Sequence, residues 1–307
     1  MLRTARARNG GPQTEPRMNA TLIRLSQNGA VRFGGSVLVL LVLIALAAPW
    51  LGTVDPAAMD ASHIYAQAGT RAPFAMADGS SVPHALLMGG DSLGRDIWSR
   101  VVYGTRVSLL VGLFTAIVAL ALGVVAGTIA GYFRRADAIL MRFMDGLMAI
   151  PAILLAIALV AALGAKVWTV VVAIAIPEVP RVTRLVRSLV LTLREEPFVE
   201  AARALATPTP VILVRHILPN AMAPMIVQGT FIMASAVLTE AILSFLGLGL
   251  PPDVPTWGNI MAEGRIAFSQ YPGAVLWPAL FLVPTVLAVN LLGDGLRDVL
   301  DPKFAKR

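Results

Sequence analysis

Residues Val107–Tyr132 read VSLLVGLFTAIVALALGVVAGTIAGY, a run without a single charge. A helix needs roughly 20 mostly apolar residues to cross about 30 Å of hydrocarbon, so this run spans a bilayer with residues to spare. Working outward, similar runs occupy Gly34–Leu51, Gly146–Ala165, Ala221–Leu246 and Pro272–Gly293. A shorter one covers Val167–Pro177 with some continuation, and Glu178 interrupts it between Pro177 and Pro180. A central acidic residue costs about 2.5–3.5 kcal/mol on insertion scales, while each Leu, Ile or Val returns about 0.3–0.6. That segment needs neighbouring helices to hold it. The pattern predicts an all-α polytopic membrane protein with six spans, or five if the Glu178 segment fails to cross.

Composition agrees. The chain is 307 residues long, 57% hydrophobic and 14% charged, with a mean hydropathy of +0.74. Soluble domains carry about 25% charged residues. The net charge of +7 in so apolar a chain marks the cytoplasmic side of a membrane better than it marks nucleic-acid binding. With no cysteine, disulfides, iron–sulfur clusters and thiolate zinc sites are excluded.

Placing the amino terminus inside leaves 19 Lys and Arg on inner segments and 6 on outer ones. This bias predicts that both termini are cytoplasmic. Ala45-Leu46-Ala47 has the form of a signal-peptidase site, but the long basic tail and the continuing run through Leu51 argue for a retained span. Residues 1–33 read as a mostly disordered tail and 34–307 as one transmembrane domain. Within that domain lie a large outer loop (about 53–106) and a cytoplasmic loop (about 181–219).

Chemistry-bearing motifs are few. No G-x-x-x-x-G-K-[ST] occurs, so ATP is not bound through a P-loop, and neither H-E-x-x-H nor G-x-S-x-G is present. His63, His84 and His216 are too scattered for a metal site. No catalytic or metal-binding residue is assigned. Gly123, Gly127 and Gly131 recur every four residues, a spacing that lets helices approach closely in lipid, either within the chain or at a dimer interface. The outer segment Gly89–Arg100 combines turn chemistry with a short amphipathic helix. It leads into the second span or docks an external partner.

The inner segment Glu196–Asn220 reads EPFVEAARALATPTPVILVRHILPN. Pro197 suits the first turn of a helix, and Pro208 disfavours helix at Thr207. Thr209 can cap a second helix with Pro210 at its first position. Val199, Ala201, Ala202 and Leu205 lie beside Glu200 and Arg203. That mixture suits a partner surface better than a solvated loop.

Here the sequence resembles a family. Glu200-Ala201-Ala202-Arg203-Ala204-Leu205 with Arg215–Asn220 is similar to the E-A-A loop of importer-type ABC permeases. Gly90-Asp91-Ser92-Leu93-Gly94-Arg95-Asp96 resembles an outer element of the C-type permease subunit of dipeptide, oligopeptide and nickel importers. Leu243–Gly249 and Asn290–Pro302 match the same subunit. The resemblance implies a type I importer permease of the bacterial inner membrane, working by alternating access. It further implies a second related permease, two cytoplasmic ATPases and an external solute-binding protein as partners. ATP and Mg would then sit on the ATPases and no cofactor on this chain. The E-A-A helices, Glu200 to Ala206, would couple to an ATPase, and Asp91, Gly94, Arg95 and Asp96 become candidates for outer docking or gating. Peptides are the commonest cargo, with nickel or another small solute as the alternative.

Two departures stand out. Ala206 replaces the usual Gly, so nearby prolines are expected to end the helix with a slightly altered turn. Glu178 replaces a small residue and either pairs with Arg181 or Arg184 or faces the pathway. A stand-alone transporter or channel is disfavoured, since no inverted repeat or mid-membrane acidic relay is evident.

Overall fold

The computed structural model describes residues 24–76 and 79–300. Helix α1 (Gly29–Ala47) starts inside the stretch expected to be tail, because the Asn28 side chain accepts hydrogen bonds from Ala30 N and Val31 N. Residues 1–23 of that tail lie outside the described residues. A 3₁₀ turn at Ala48–Trp50 ends the first span.

The outer segment that follows is not purely helical. Strands β1 (Thr70–Ala75) and β2 (Ser81–Leu86) pair antiparallel, with Thr70 opposite Leu86 and Ala75 opposite Ser81. Phe74 and Leu86 are buried against Val54 and Ala58, a small core of their own. Asp60 ties the hairpin to the loop beneath it by accepting from Ser62 N, Ser62 Oγ and Ala75 N. The Ser62 hydroxyl, joined by the Ala75 N–H, holds the Asp60 carboxyl far below the usual carboxylate range.

Helix α2 (Ile97–Tyr132) runs 36 residues without a break, so the outer loop ends at Asp96 rather than near 106. The expected short amphipathic helix forms the first turns of the span itself. Its Asp96 cap accepts from Trp98 N and Ser99 N.

The apolar run Gly146–Ala165 is not one helix. Helix α3 (Arg134–Met148) and helix α4 (Ala152–Leu163) meet at a bend of 89°. Pro151 explains the break, since it disfavours helix in the residue before it. Helix α5 (Val167–Leu193) passes through Pro177 and Pro180, so residues 181–193 of the expected loop are helix. Past the elbow described below come α7 (Leu218–Phe245), α8 (Trp257–Gly264) and α9 (Gly273–Leu300). Among the described residues, four stretches are long and apolar enough to cross a membrane: Gly29–Trp50, Ile97–Tyr132, Thr209–Phe245 and Gly273–Leu300. The bent α3–α4 pair would be a fifth. The sixth expected span falls on α5, which does not meet that test: Glu178 lies near its middle and a row of arginines follows.

Helices α2 and α5 pack against each other extensively. Gly123, Gly127 and Gly131 face Val182, Val186 and Val190, and all three valines are fully buried. Both rows run at i, i+4, so one ridge beds into the other's groove. The glycine stripe therefore packs the subunit internally. A Cβ at Gly127 would lie 2.6 Å from Thr183 O and 2.7 Å from Val186 Cβ. Overpacking of this kind costs about 1–3 kcal/mol, so Gly127→Ala should lower the unfolding temperature of the detergent-purified protein. At Gly35 a Cβ meets nothing within 4 Å, and Gly35→Ala should be neutral or stabilising by up to about 1 kcal/mol. Equal melting shifts in the two variants would contradict the packing.

Candidate partner-docking elbow and outer charge cluster

The elbow hangs from the end of α5, where Arg194 Nη1 donates to Gly131 O at 3.2 Å. Helix α6 (Pro197–Ala204) begins with Pro197 at its first position. Val199 and Ala202, one turn apart, are buried in the same core as Val186 and Val190. Ala202 thus points into the chain and is not part of the outer surface expected for it. Glu200, Ala201, Arg203 and Leu205 face outward, and Leu205 is 82% exposed. The Arg203 guanidinium sits 5.6 Å from the Tyr132 ring centroid, which steadies it against α2. The Glu200 carboxylate has neither hydrogen bond nor ion pair among the described residues.

The end of α6 corrects an expectation. Ala206 adopts φ 55°, the left-handed conformation usually given to glycine. Ala206 N donates to Arg203 O and Thr207 N to Ala202 O, the two bonds of a Schellman cap. The same pair of bonds ends α7 at Gly247, where φ is 77°. The prolines therefore do not replace the glycine turn. Alanine adopts it, at a conformational cost of about 1–2 kcal/mol. Helix resumes at Thr209 itself, one residue earlier than a Thr209 cap would give, and runs one turn to Val211. A π-helical turn, Ile212–Ile217, then leads directly into α7. The second short helix is thus the root of α7.

On the outer side, the predicted docking residues lie inside the fold. Asp91, Arg95, Asp96 and Arg100 are each no more than 2% exposed. Asp91 accepts from Leu93 N, Arg95 N, Arg95 Nε (2.7 Å) and Arg100 Nη1 (3.1 Å). Gly94 turns at φ 74° with its α-carbon against the Asp60 backbone, where no side chain fits. Glu263 of α8 closes the cluster by pairing with Arg95 Nη2 and with Arg100 Nη1 (3.2 Å). Burial pushes the Glu263 carboxyl up, and the charges of Arg100 and Arg95 pull it back. His84 Nε2 lies 3.1 Å from Asp96 Oδ2. Breaking a buried pair of this kind costs about 3–5 kcal/mol, because the remaining charge is stranded. The cluster locks the outer loop, the start of α2 and α8 together.

Glu178 makes the ion pair expected of it. Arg181 Nη1 donates to it at 3.2 Å, while Arg184 is taken by Asp145 at 2.5 Å. Its carboxylate also lines a cavity of about 160 Å³ between α4, α5 and α7, alongside Ser235 and Thr239. A larger cavity of about 530 Å³ lies between α5, α7 and α9, lined by Asn220, Gln228 and Arg297 among apolar residues.

Sequence reasoning passed over three residues. Arg100 and Glu263 meet across 163 positions, a separation that no local pattern reports. Glu240 in α7 is fully buried and accepts from Ser244 Oγ at 2.8 Å. Its signal was an acid inside the apolar run Ala221–Leu246. It is a single anchored carboxylate, not a relay.

Known proteins share this arrangement of sequence. Residues 96–306 match the family of binding-protein-dependent transport system inner membrane components. Residues 18–69 match the N-terminal membrane domain of oligopeptide transport permease C. A probable peptide ABC transporter permease of Sinorhizobium fredii is 46% identical over 307 residues, covering 100% of this chain and 99% of that one. A dipeptide transport system permease of Alkalihalophilus pseudofirmus is 42% identical, covering 92% and 88%. A glutathione transport system permease of Pectobacterium atrosepticum is 46% identical over 74% and 75%. The chain belongs to the binding-protein-dependent transport system inner membrane components, and is a membrane-spanning permease subunit of an ABC transporter rather than an enzyme.

Proposed function

We propose that this permease moves peptides inward by alternating access, driven by two cytoplasmic ATPases, one of which docks on the elbow. A second related permease and an external solute-binding protein complete the machine, and ATP and Mg are held by the ATPases. Nucleic acid has no part in it. Both termini are placed in the cytoplasm, a reading that the 19-to-6 bias of Lys and Arg supports.

The observation that carries this reading is the division of α6 into two faces. Val199 and Ala202 fasten it to the permease core, while Glu200, Ala201 and Leu205 are presented outward, and Glu200 has no polar partner among the described residues. An eight-residue helix is far below the ~12–15 residues at which isolated helices become even marginal in water. Its inner face is held by the permease, which leaves the outer face for a groove on the ATPase. Glu178, with its cavity, lies on the same helix α5 that carries the elbow, and we assign it to the wall of the pathway. The peptide cargo is supported by the names of the relatives, which transport peptides, dipeptides or glutathione.

Glu200→Ala removes a carboxylate free to meet donors on the ATPase. A charge-assisted hydrogen bond contributes about 1.5–3 kcal/mol, so ATPase docking should weaken roughly tenfold or more while pairing with the second permease persists. Transport should collapse, and ATP hydrolysis should stop responding to the loaded binding protein. Glu196→Ala, at the solvated start of the same helix, should behave as wild type. Wild-type transport by Glu200→Ala would reduce α6 to a linker. For the cargo, proteoliposomes holding the full complex should accumulate labelled di- or oligopeptide on addition of ATP. Uptake of nickel with no peptide uptake would overturn the assignment.

A further inference from the structure

Helix α3 leaves α2 at Phe133 and meets α4 at 89°. Because α4 is apolar along its whole length, AILLAIALVAAL, a helix at right angles to it lies along the plane of the membrane it enters. One flank of α3 is fastened to α5. Met144 is buried there, Arg187 holds Asp137 through two bonds of 2.5 and 2.6 Å, and Arg184 holds Asp145.

The remaining surface of α3 falls into two adjoining stripes. Ile139 and Phe143, one turn apart, are 74% and 62% exposed. Beside them stand Arg134, Arg135 and Arg142, all exposed, and none has a carboxylate partner among the described residues. The contrast with α5 and its end is sharp: Arg181, Arg184, Arg187 and Arg194 are each paired with an acid. The acids within reach are consumed, and the charge of α3 is left for something outside the chain.

We propose that α3 is an interfacial anchor for anionic phospholipid. Ile139 and Phe143 enter the boundary between headgroups and acyl chains, and Arg134, Arg135 and Arg142 bind the phosphates above it. A basic amphipathic helix lying in the interface plane has this composition and this order of faces. Guanidinium groups suit the site because their fork matches phosphate oxygens two at a time. A protein partner fits less well, since the right-angled turn into the wholly apolar α4 sets this face at the boundary of the bilayer that α4 enters. Through Asp137 and Asp145 the anchor would hold α5 just above the elbow. The inference stands apart from the cargo and from the ATPase surface.

The absence of cysteine allows a direct test. Ile139→Cys carrying a bimane fluorophore is prepared in the full chain, purified with its accompanying subunits and reconstituted in phosphatidylcholine vesicles with or without phosphatidylglycerol. Lipids with a doxyl group near the top of the acyl chain should quench the fluorophore, and aqueous iodide should not. Doxyl-phosphatidylglycerol should quench better than doxyl-phosphatidylcholine. That preference should be lost at low salt in an R134Q/R135Q/R142Q variant and survive in the corresponding triple lysine variant. Quenching by iodide, cross-linking of position 139 to another subunit, or a lipid preference unchanged by the glutamine substitutions would each overturn the proposal.

Discussion

The seam between α2 and α5 is the contact on which the rest of the molecule depends. Apolar side chains gain nothing by leaving lipid for each other, so two helices in a bilayer associate through close packing and polar contacts. Gly123, Gly127 and Gly131 remove the atoms that would hold α5 away, and Val182, Val186 and Val190 fill the space. Glycine in a helix interior costs about 1 kcal/mol relative to alanine. Three of them along one stripe indicate that close approach outweighs helix propensity here.

The two helices of the seam carry a distinct feature at each end. At the outer end α2 begins on the Asp96 cap, within the cluster of Asp91, Arg95, Arg100 and Glu263. At the inner end α5 passes into the elbow, whose Val199, Ala202, Ile212 and Ile217 belong to the same core as the seam valines. The outer loop and α6 are therefore attached to one pair of helices. Where loops alone would leave the two surfaces independent, this packing connects them. Arg203 against Tyr132 and Arg194 against Gly131 O add polar fastenings at the lower end.

What the sequence made legible follows from how local each constraint is. The apolar run 107–132 reads plainly because lipid punishes every charge, and Pro197 and the Glu200 segment read plainly because helix starts are local. The inward turn of Ala202 was available from helical spacing with Val199. The hairpin was not available, since TRAPFA and SVPHAL place a proline in each strand and alternate poorly. The 89° break was signalled by Pro151, but the uncharged run across it argued for a continuous span. The burial of Asp91 and Arg95 depends on Glu263, far away in the chain, so the same residues read from sequence as surface charges. Ala206 shows the reverse case, in which the resemblance called for glycine and the backbone keeps the glycine turn with alanine.

The central claim is that α2 and α5 form one rigid body carrying the elbow. Its most direct test is the distance between spin labels at Val125 and Ser188, both exposed on the flanks of the seam, in the reconstituted transporter. A single narrow distance distribution, the same without nucleotide and with ATP trapped, is the predicted result. A second population or a shift beyond the label's own rotamer spread when ATP binds would show the helices sliding apart, and would contradict the account.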